Sequence, residues 1–246
     1  MGVSDPKRGR RHEARPEDKQ NFTLILKLLR EKLNQLGAEN GRYYELTIAA
    51  GAGPSYLNGV EIGEVAKYVD NINVMTFDFA GGWSPSTEHH TNLYGGNFSV
   101  DASIQLYLNS GIPADKLVIA AAFYGHVWTD VENAGSDGLG QPAKGSPDTP
   151  TYTDILAKYN AQTGYTRYWD ETAHAPYLFD GSTFISYDDP QSIARRPNTF
   201  STADSQGRCS GNTAKMRREV CWPRFRTGSK AFLMKRMKRR FPASRL

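Results

Sequence analysis

Cysteine is scarce: the 246 residues hold two, Cys209 and Cys221, both toward the C-terminal end. The remainder of the chain is therefore neither a disulfide scaffold nor a cysteine-based metal site. Long apolar runs are lacking too, and none approaches the ~20 residues that a membrane-spanning helix needs. The opening MGVSDPKRGRRH is basic without an apolar core, so no secretory signal is read there. No internal repeat is found, which sets aside solenoids and propellers.

A globular composition remains, with 39% hydrophobic and 11% aromatic residues, enough to build a sizeable core in one large or two small domains. The net charge of +4 averages three unlike regions. Residues 1–12 carry +3 and residues 194–246 carry +13, whereas residues 13–193 carry −12. An acidic body thus sits between two basic ends. The last stretch, KAFLMKRMKRRFPASRL, could form a basic amphipathic helix, but it contains no recognisable nucleic-acid or membrane-binding module. No nucleic-acid, membrane or protein partner is expected from it.

Within the body, RPEDKQNFTLILKLLREKLNQLG predicts a helix. Pro16 suits the first helical position, and Glu17 and Asp18 suit the positive end of the dipole. Phe22, Ile25, Leu26, Leu29, Leu33 and Leu36 fall on one face as its core stripe, and Gly37 closes it. Strands follow at 42–51, 71–79 and 116–125, alternating with helices over 57–69 and 100–111. Continuous apolar strands alternating with helices imply α/β architecture with a parallel sheet. From about residue 126 the rhythm changes to a short helix near TDILAKY and the aromatic strands GYTRYWD, APYLFD and FISYDD, a small α+β insertion. After Ile193 no stable period is found.

In a parallel α/β sheet, functional residues gather at the C-terminal ends of strands. Asp78 and Tyr124 both hold such positions. The Gly81-Gly82 pair lets other groups approach closely, and Trp83 offers a flat apolar face of the kind a sugar-binding cleft requires. Singly these signals are weak, since an Asp after a strand is commonly a turn former and a Trp is commonly core. His89 and His90 are adjacent in a polar loop without helical i, i+4 spacing, so they are not read as a metal pair, and no metal or cofactor is expected.

Together the motifs are more specific. RPEDKQNF, YYELTIAAGAGP, NINVMTFDFAGGW, STEHHTNLY, AAFYG, GYTRYWDETAHAPYLFD and FISYDDP stand in the order and spacing of the later portion of glycoside hydrolase family 18 chitinases, which residues 15–189 closely resemble. The resemblance implies α/β architecture as a partial (β/α)8 TIM barrel, about strands five to seven, with a small α+β insertion. By residue range it implies a non-family basic N-terminus at 1–14, partial barrel at 15–125 and insertion at 126–185. Residues 186–246 would begin the return toward the barrel and then run into the basic tail.

The implied activity is hydrolysis of β-1,4 linkages between N-acetylglucosamine units with retention, the substrate's own acetamido oxygen acting as nucleophile. Chitin or chito-oligosaccharides are the implied partners, and an extracellular location is inherited from the family. Met75, Phe77 and Asp78 match the sixth-strand motif that cradles the acetamido group, and Tyr124 matches a cleft-lining aromatic of the seventh. Two positions depart from the family. Phe77 stands where Tyr is more common, and His126 where Arg is common.

The family's run of aspartates ending in the general-acid glutamate should precede RPEDKQNF, yet nothing in MGVSDPKRGRRHEA resembles it. Glu13 lies between arginines rather than at the end of an apolar strand. The eighth strand and its tryptophan are missing after FISYDD. Both ends admit an out-of-frame reading. Met1-Gly2-Val3-Ser4 can be encoded ATG GGA GTA TCC, which shifted by one base gives Trp-Glu-Tyr-Pro, the family's sequence at the catalytic glutamate. Residues 209–216 likewise permit Phe-Trp-Glu-Tyr-Ser-Glu-Asp, matching the eighth strand. The expectation is a chitinase-family chain without its general acid, marginally folded and catalytically inactive, or alternatively a chitin-binding, lectin-like protein.

Overall fold

A computed structural model describes residues 15–132, 137–196 and the backbone of 201–203. Glu13, both cysteines and the basic amphipathic stretch lie outside these residues.

Helix α1 (Pro16–Asn40) starts as its sequence predicts, with Pro16 in the first turn and Asp18 accepting from the Arg15 backbone N–H at 2.9 Å. It runs through Gly37 and ends instead at Gly41, whose left-handed backbone (φ 64°) returns its N–H to the Gly37 carbonyl. The expected core stripe is only partly buried. Leu26 is buried and Phe22 packs on the core, but Ile25, Leu29 and Leu36 are exposed. The helix touches the sheet layer along a narrower line than its apolar face provides, chiefly through Thr23, whose hydroxyl donates to Glu61 at 2.8 Å, and Leu26.

Strands β1 (Thr47–Gly51), β2 (Asn71–Met75) and β3 (Leu117–Ala120) pair in parallel in that order, with Ile48 beside Ile72 and Val74 beside Ile119. Two short helices, α2 (Pro54–Asn58) and α3 (Ile62–Val65), cross from β1 to β2, and α4 (Val100–Asn109) precedes β3. The Ser99 hydroxyl caps α4 by accepting from the Ala102 N–H. Val65, Ile72, Val74, Ile104, Tyr107 and Leu117 form the centre of this layer's core. Each such side chain taken from water contributes about 1.5–3 kcal/mol before conformational entropy opposes it.

The antiparallel unit follows without a break. Strands β4 (Gly125–Thr129), β5 (Lys144–Gly145), β6 (Thr166–Asp170), β7 (Ala175–Phe179) and β8 (Phe184–Tyr187) form a sheet in the order β5-β4-β8-β7-β6, flanked by α5 (Tyr152–Lys158). Trp128, Tyr177 and Phe184 build one side of its core and Ile155, Leu178 and Ile185 the other.

Two features differ from the sequence reading. A fourth parallel strand, β9 (Ser201–Ala203), pairs with β3 where three strands were expected. Backbone hydrogen bonds at an open sheet edge do not depend on side-chain pattern, so residue periodicity could not announce it. Regular structure also continues past Ile193, through α6 (Pro190–Arg195) to Arg196, whose guanidinium is buried against Asp188 at 2.6 Å. No helix among the described residues is long and apolar enough to cross a membrane.

Candidate functional site

The loop after β2 sets the site. Thr76 anchors it through its hydroxyl to the Ala120 carbonyl at the end of β3 (2.9 Å), and the Phe79 N–H donates to the His90 carbonyl (3.1 Å). Between them Asp78 takes a left-handed backbone (φ 59°), which aspartate tolerates better than most side chains and which costs about 1–2 kcal/mol. Gly81 and Gly82 then turn the chain. A Cβ on Gly82 would lie 2.4 Å from the Ser146 carbonyl oxygen, so only glycine lets this turn pack on the segment that follows β5.

Asp78 is the centre of a polar cluster. Its Oδ1 accepts from the Tyr124 hydroxyl at 2.5 Å and from His126 Nε2 at 2.8 Å, while His90 Nδ1 stands 3.9 Å away. Oδ2 has no hydrogen-bond partner among the described residues, and the side chain is 42% exposed. Half-burial raises the carboxyl, but the hydrogen bonds from His126 and Tyr124 outweigh it and hold Asp78 below the ordinary carboxylate value. Burial, and then the adjacent carboxylate, push the Tyr124 hydroxyl well up, so it stays a donor. His90 is fully buried, and burial, with His126 beside it, drives its pKa down to about 3. The imidazole is therefore neutral.

Aromatic rings surround the acid. Phe77 meets Tyr124 edge-on at 6.0 Å between centroids, and Trp83, 65% exposed, stands edge-on to His126 at 5.2 Å. Met75, the last residue of β2, is also exposed. The sequence-expected Phe77, Asp78, Trp83 and Tyr124 thus come to one place, joined by two histidines that the sequence reading left out. His126 stands where the family commonly has arginine, which gives no hint of this role. His90 adjoins His89 in sequence, and the structure separates them. His89 faces away, with Nε2 3.1 Å from Asp170 and its ring against Tyr177. Neighbouring residues of an extended segment point to opposite sides, so adjacency in sequence was the wrong grouping.

The profile of Glycosyl hydrolases family 18 matches residues 6–204, which contain the whole cluster. The chain belongs to this family. It is 41% identical over 200 residues to Chitinase A1 of Niallia circulans, covering 73% of this chain and 28% of that protein. Among solved structures it superposes on the chitinase ChiW of Paenibacillus sp. str. FPU-7 with a TM-score of 0.71 and 53% identity, covering 73% of this chain and 16% of that one. A family 18 N-acetylglucosaminidase from Paenibacillus barengoltzii matches with a TM-score of 0.69 and 50% identity, covering 73% and 54%. The chain spans less than half the length of the chitinase relatives it matches in sequence. These family 18 structures imply a TIM-barrel-like α/β fold, and among the described residues the barrel is not closed.

Proposed function

We propose that this chain carries the acetamido-binding side of a family 18 chitin cleft. The observation that carries the reading is the part-exposed Asp78 carboxylate, whose Oδ1 accepts from Tyr124 and His126 and whose Oδ2 has no partner among the described residues, with the exposed Trp83 against His126 nearby. An ionised carboxylate in that setting accepts an amide N–H. With the amide N–H of an N-acetylglucosamine unit on Oδ2, the acetamido oxygen is turned toward the anomeric carbon, the geometry a substrate-assisted retaining hydrolysis requires. Trp83 supplies an apolar face for the sugar ring, with Met75, Phe77 and Tyr124 bounding the subsite. In this reading β1, β2 and β3 are barrel strands five to seven within residues 15–125, and residues 126–185 are the insertion that closes one flank of the cleft. A chitin substrate places the protein's work outside the cell.

Hydrolysis also needs a proton donor to the leaving oxygen. No glutamate is among the partners of Asp78 in the described residues, and none in the sequence ends an aspartate-rich strand of the family kind. Loss of a general acid removes about 10²–10⁴-fold of rate, so in this reading residues 1–246, by themselves, bind chitin without cleaving it. The lectin-like reading is favoured by the same open Oδ2 and exposed Trp83, which need no acid. Sedimentation with chitin beads tests binding: the chain should co-sediment, and Asp78→Ala should not. Equal retention of both, or of neither, overturns the cleft assignment. Release of chromophore from a chitobioside by the purified chain overturns the inactivity.

A further inference from the structure

We propose that Asp78, His90 and His126 form a binding site for a divalent transition-metal ion of the zinc class. Their donor atoms, one carboxylate oxygen and two imidazole nitrogens, all lie within 4.8 Å of one another. They come from three segments, the loop after β2, the loop before α4 and strand β4, and the fold brings them to one point. This assignment does not depend on the sugar-binding reading.

The donor set selects the ion. Two imidazoles and one carboxylate suit zinc and its neighbours, whereas calcium and magnesium require oxygen ligands. Zinc held at about 2.0–2.1 Å by each donor sets neighbouring ligand atoms roughly 3.4 Å apart in a tetrahedral site. The His126 Nε2–Asp78 Oδ1 distance of 2.8 Å and the His90 Nδ1–Asp78 Oδ1 distance of 3.9 Å straddle that value. An outward shift of His126 and an inward shift of His90, each by about half an ångström, bring both distances to Asp78 to that value, and the two imidazole nitrogens already lie within 4.8 Å of each other. Ligation through His126 Nε2 requires the tautomer that carries its hydrogen on Nδ1.

His90 supplies the second, independent observation. It is fully buried, its backbone N–H is fixed by the Ser186 hydroxyl at 2.9 Å, and neither ring nitrogen has a hydrogen-bond partner among the described residues. The His90 Nδ1 stands 3.9 Å from the Asp78 carboxylate, too far for a hydrogen bond, so its lone pair is not engaged by that acid. His126 is held by rings on several sides, Trp83, His90, Tyr124 and Trp128, which fixes its direction. The partial exposure of Asp78 leaves a fourth coordination position open to water, as in three-ligand zinc sites.

The experiment titrates Zn²⁺ alone into the full chain carrying Cys209→Ser and Cys221→Ser, which removes the thiols as competing soft ligands. Calorimetry should read one ion per chain at micromolar concentration, and Co²⁺ should give ligand-field absorption of a nitrogen/oxygen site. His126→Arg and His90→Asn should each weaken binding on the order of 100-fold, while His89→Asn should leave it unchanged. Circular dichroism of each variant establishes that it is folded, and Asp78→Asn serves where His90→Asn is not. Absence of zinc binding by the folded parent, or binding unchanged in the His126 and His90 or Asp78 variants, overturns the proposal.

Discussion

Replacing Arg196 with methionine tests whether the chain past Ile193 is part of the folded body. The guanidinium is 2% exposed and its partner Asp188 1%. Nη2 donates to Asp188 Oδ2 at 2.6 Å and to Thr91 Oγ1 at 2.7 Å, and Nη1 donates to the Ala120 carbonyl at 2.7 Å. One side chain thus ties the end of β8, the loop that carries His90 and the end of β3. Methionine keeps most of the volume and removes the charge. Stranding one member of a buried ion pair costs about 3–5 kcal/mol. Asp188 would keep the Ser192 hydroxyl at 2.8 Å and the Ala122 N–H at 3.3 Å, and Ala120 would keep the Thr76 hydroxyl, so the lower end, about 3 kcal/mol, is expected. That is a large share of the 5–15 kcal/mol that stabilises a typical domain. In urea, followed by tryptophan fluorescence, it appears as a fall in midpoint of about 1.5 M for a slope near 2 kcal/mol per M. Arg196→Met/Asp188→Asn should recover part of the loss, since no unpaired charge remains. A single-variant shift below about 0.3 M, or a double variant worse than the single, would refute the reasoning.

Gly82→Ala should destabilise by about 1–3 kcal/mol, because its Cβ meets the Ser146 carbonyl at 2.4 Å and the turn must move; an unchanged melting temperature would show that the turn yields freely. Asp170 is held down to about 2 by its hydrogen bond from His89, against opposing burial and aided by the Ala173 and Thr172 N–H groups. Its folded value lies below the ordinary 3.8, so its stabilisation is present above that pH and disappears as pH falls toward 2. With screening of this partly exposed group allowed for, the effect is about 1 kcal/mol, and Asp170→Asn should flatten the acid limb of a stability–pH curve between pH 4 and 2, a parallel curve being the contrary result. Leu24 and Leu28, 52% and 53% exposed on α1, should accept glutamine at a cost within about 0.5 kcal/mol and lower light scattering. A loss of 2 kcal/mol or more would place them against packed protein.

Local pattern carried the fold far. The starts of α1 and α4, the strands at 47–51, 71–75 and 117–120 and the aromatic hairpins after residue 164 follow from caps, apolar runs and turn residues that lie within a few positions of one another. Continuous apolar strands between helices imply a parallel sheet wherever they occur, so the α/β layer was legible without knowing its partners. Three things were not. How much of α1's apolar face is covered depends on what packs against it, and that is no property of the helix itself. The short strand β9 is held by backbone groups that every residue possesses. Arg196 resembled the arginines of the basic tail, and only an acid eight residues earlier, brought beside it by the turn of α6, distinguishes it.

The candidate site divides in the same way. Asp78 and Tyr124 are found by strand-end placement, Trp83 by its flat face beside the Gly81-Gly82 turn, and Phe77 by the family motif it shares with Asp78. His90 and His126 are invisible to that rule, since one sits in an irregular loop and the other within a β4 strand of buried residues. What brings them in is long-range backbone pairing. The Phe79 N–H binds the His90 carbonyl, and β4 pairs with β8, so that the Ser186 hydroxyl fixes His90 while Ser186 itself lies opposite His126. This places a serine of the antiparallel sheet behind both imidazoles. Ser186→Ala should therefore loosen His90 while leaving the Asp78–Tyr124 contact intact. Chitin-bead retention should stay near that of the parent while Zn²⁺ affinity falls. Equal loss of both would mean that Ser186 supports the Asp78 carboxylate that the two sites share, and not His90 alone.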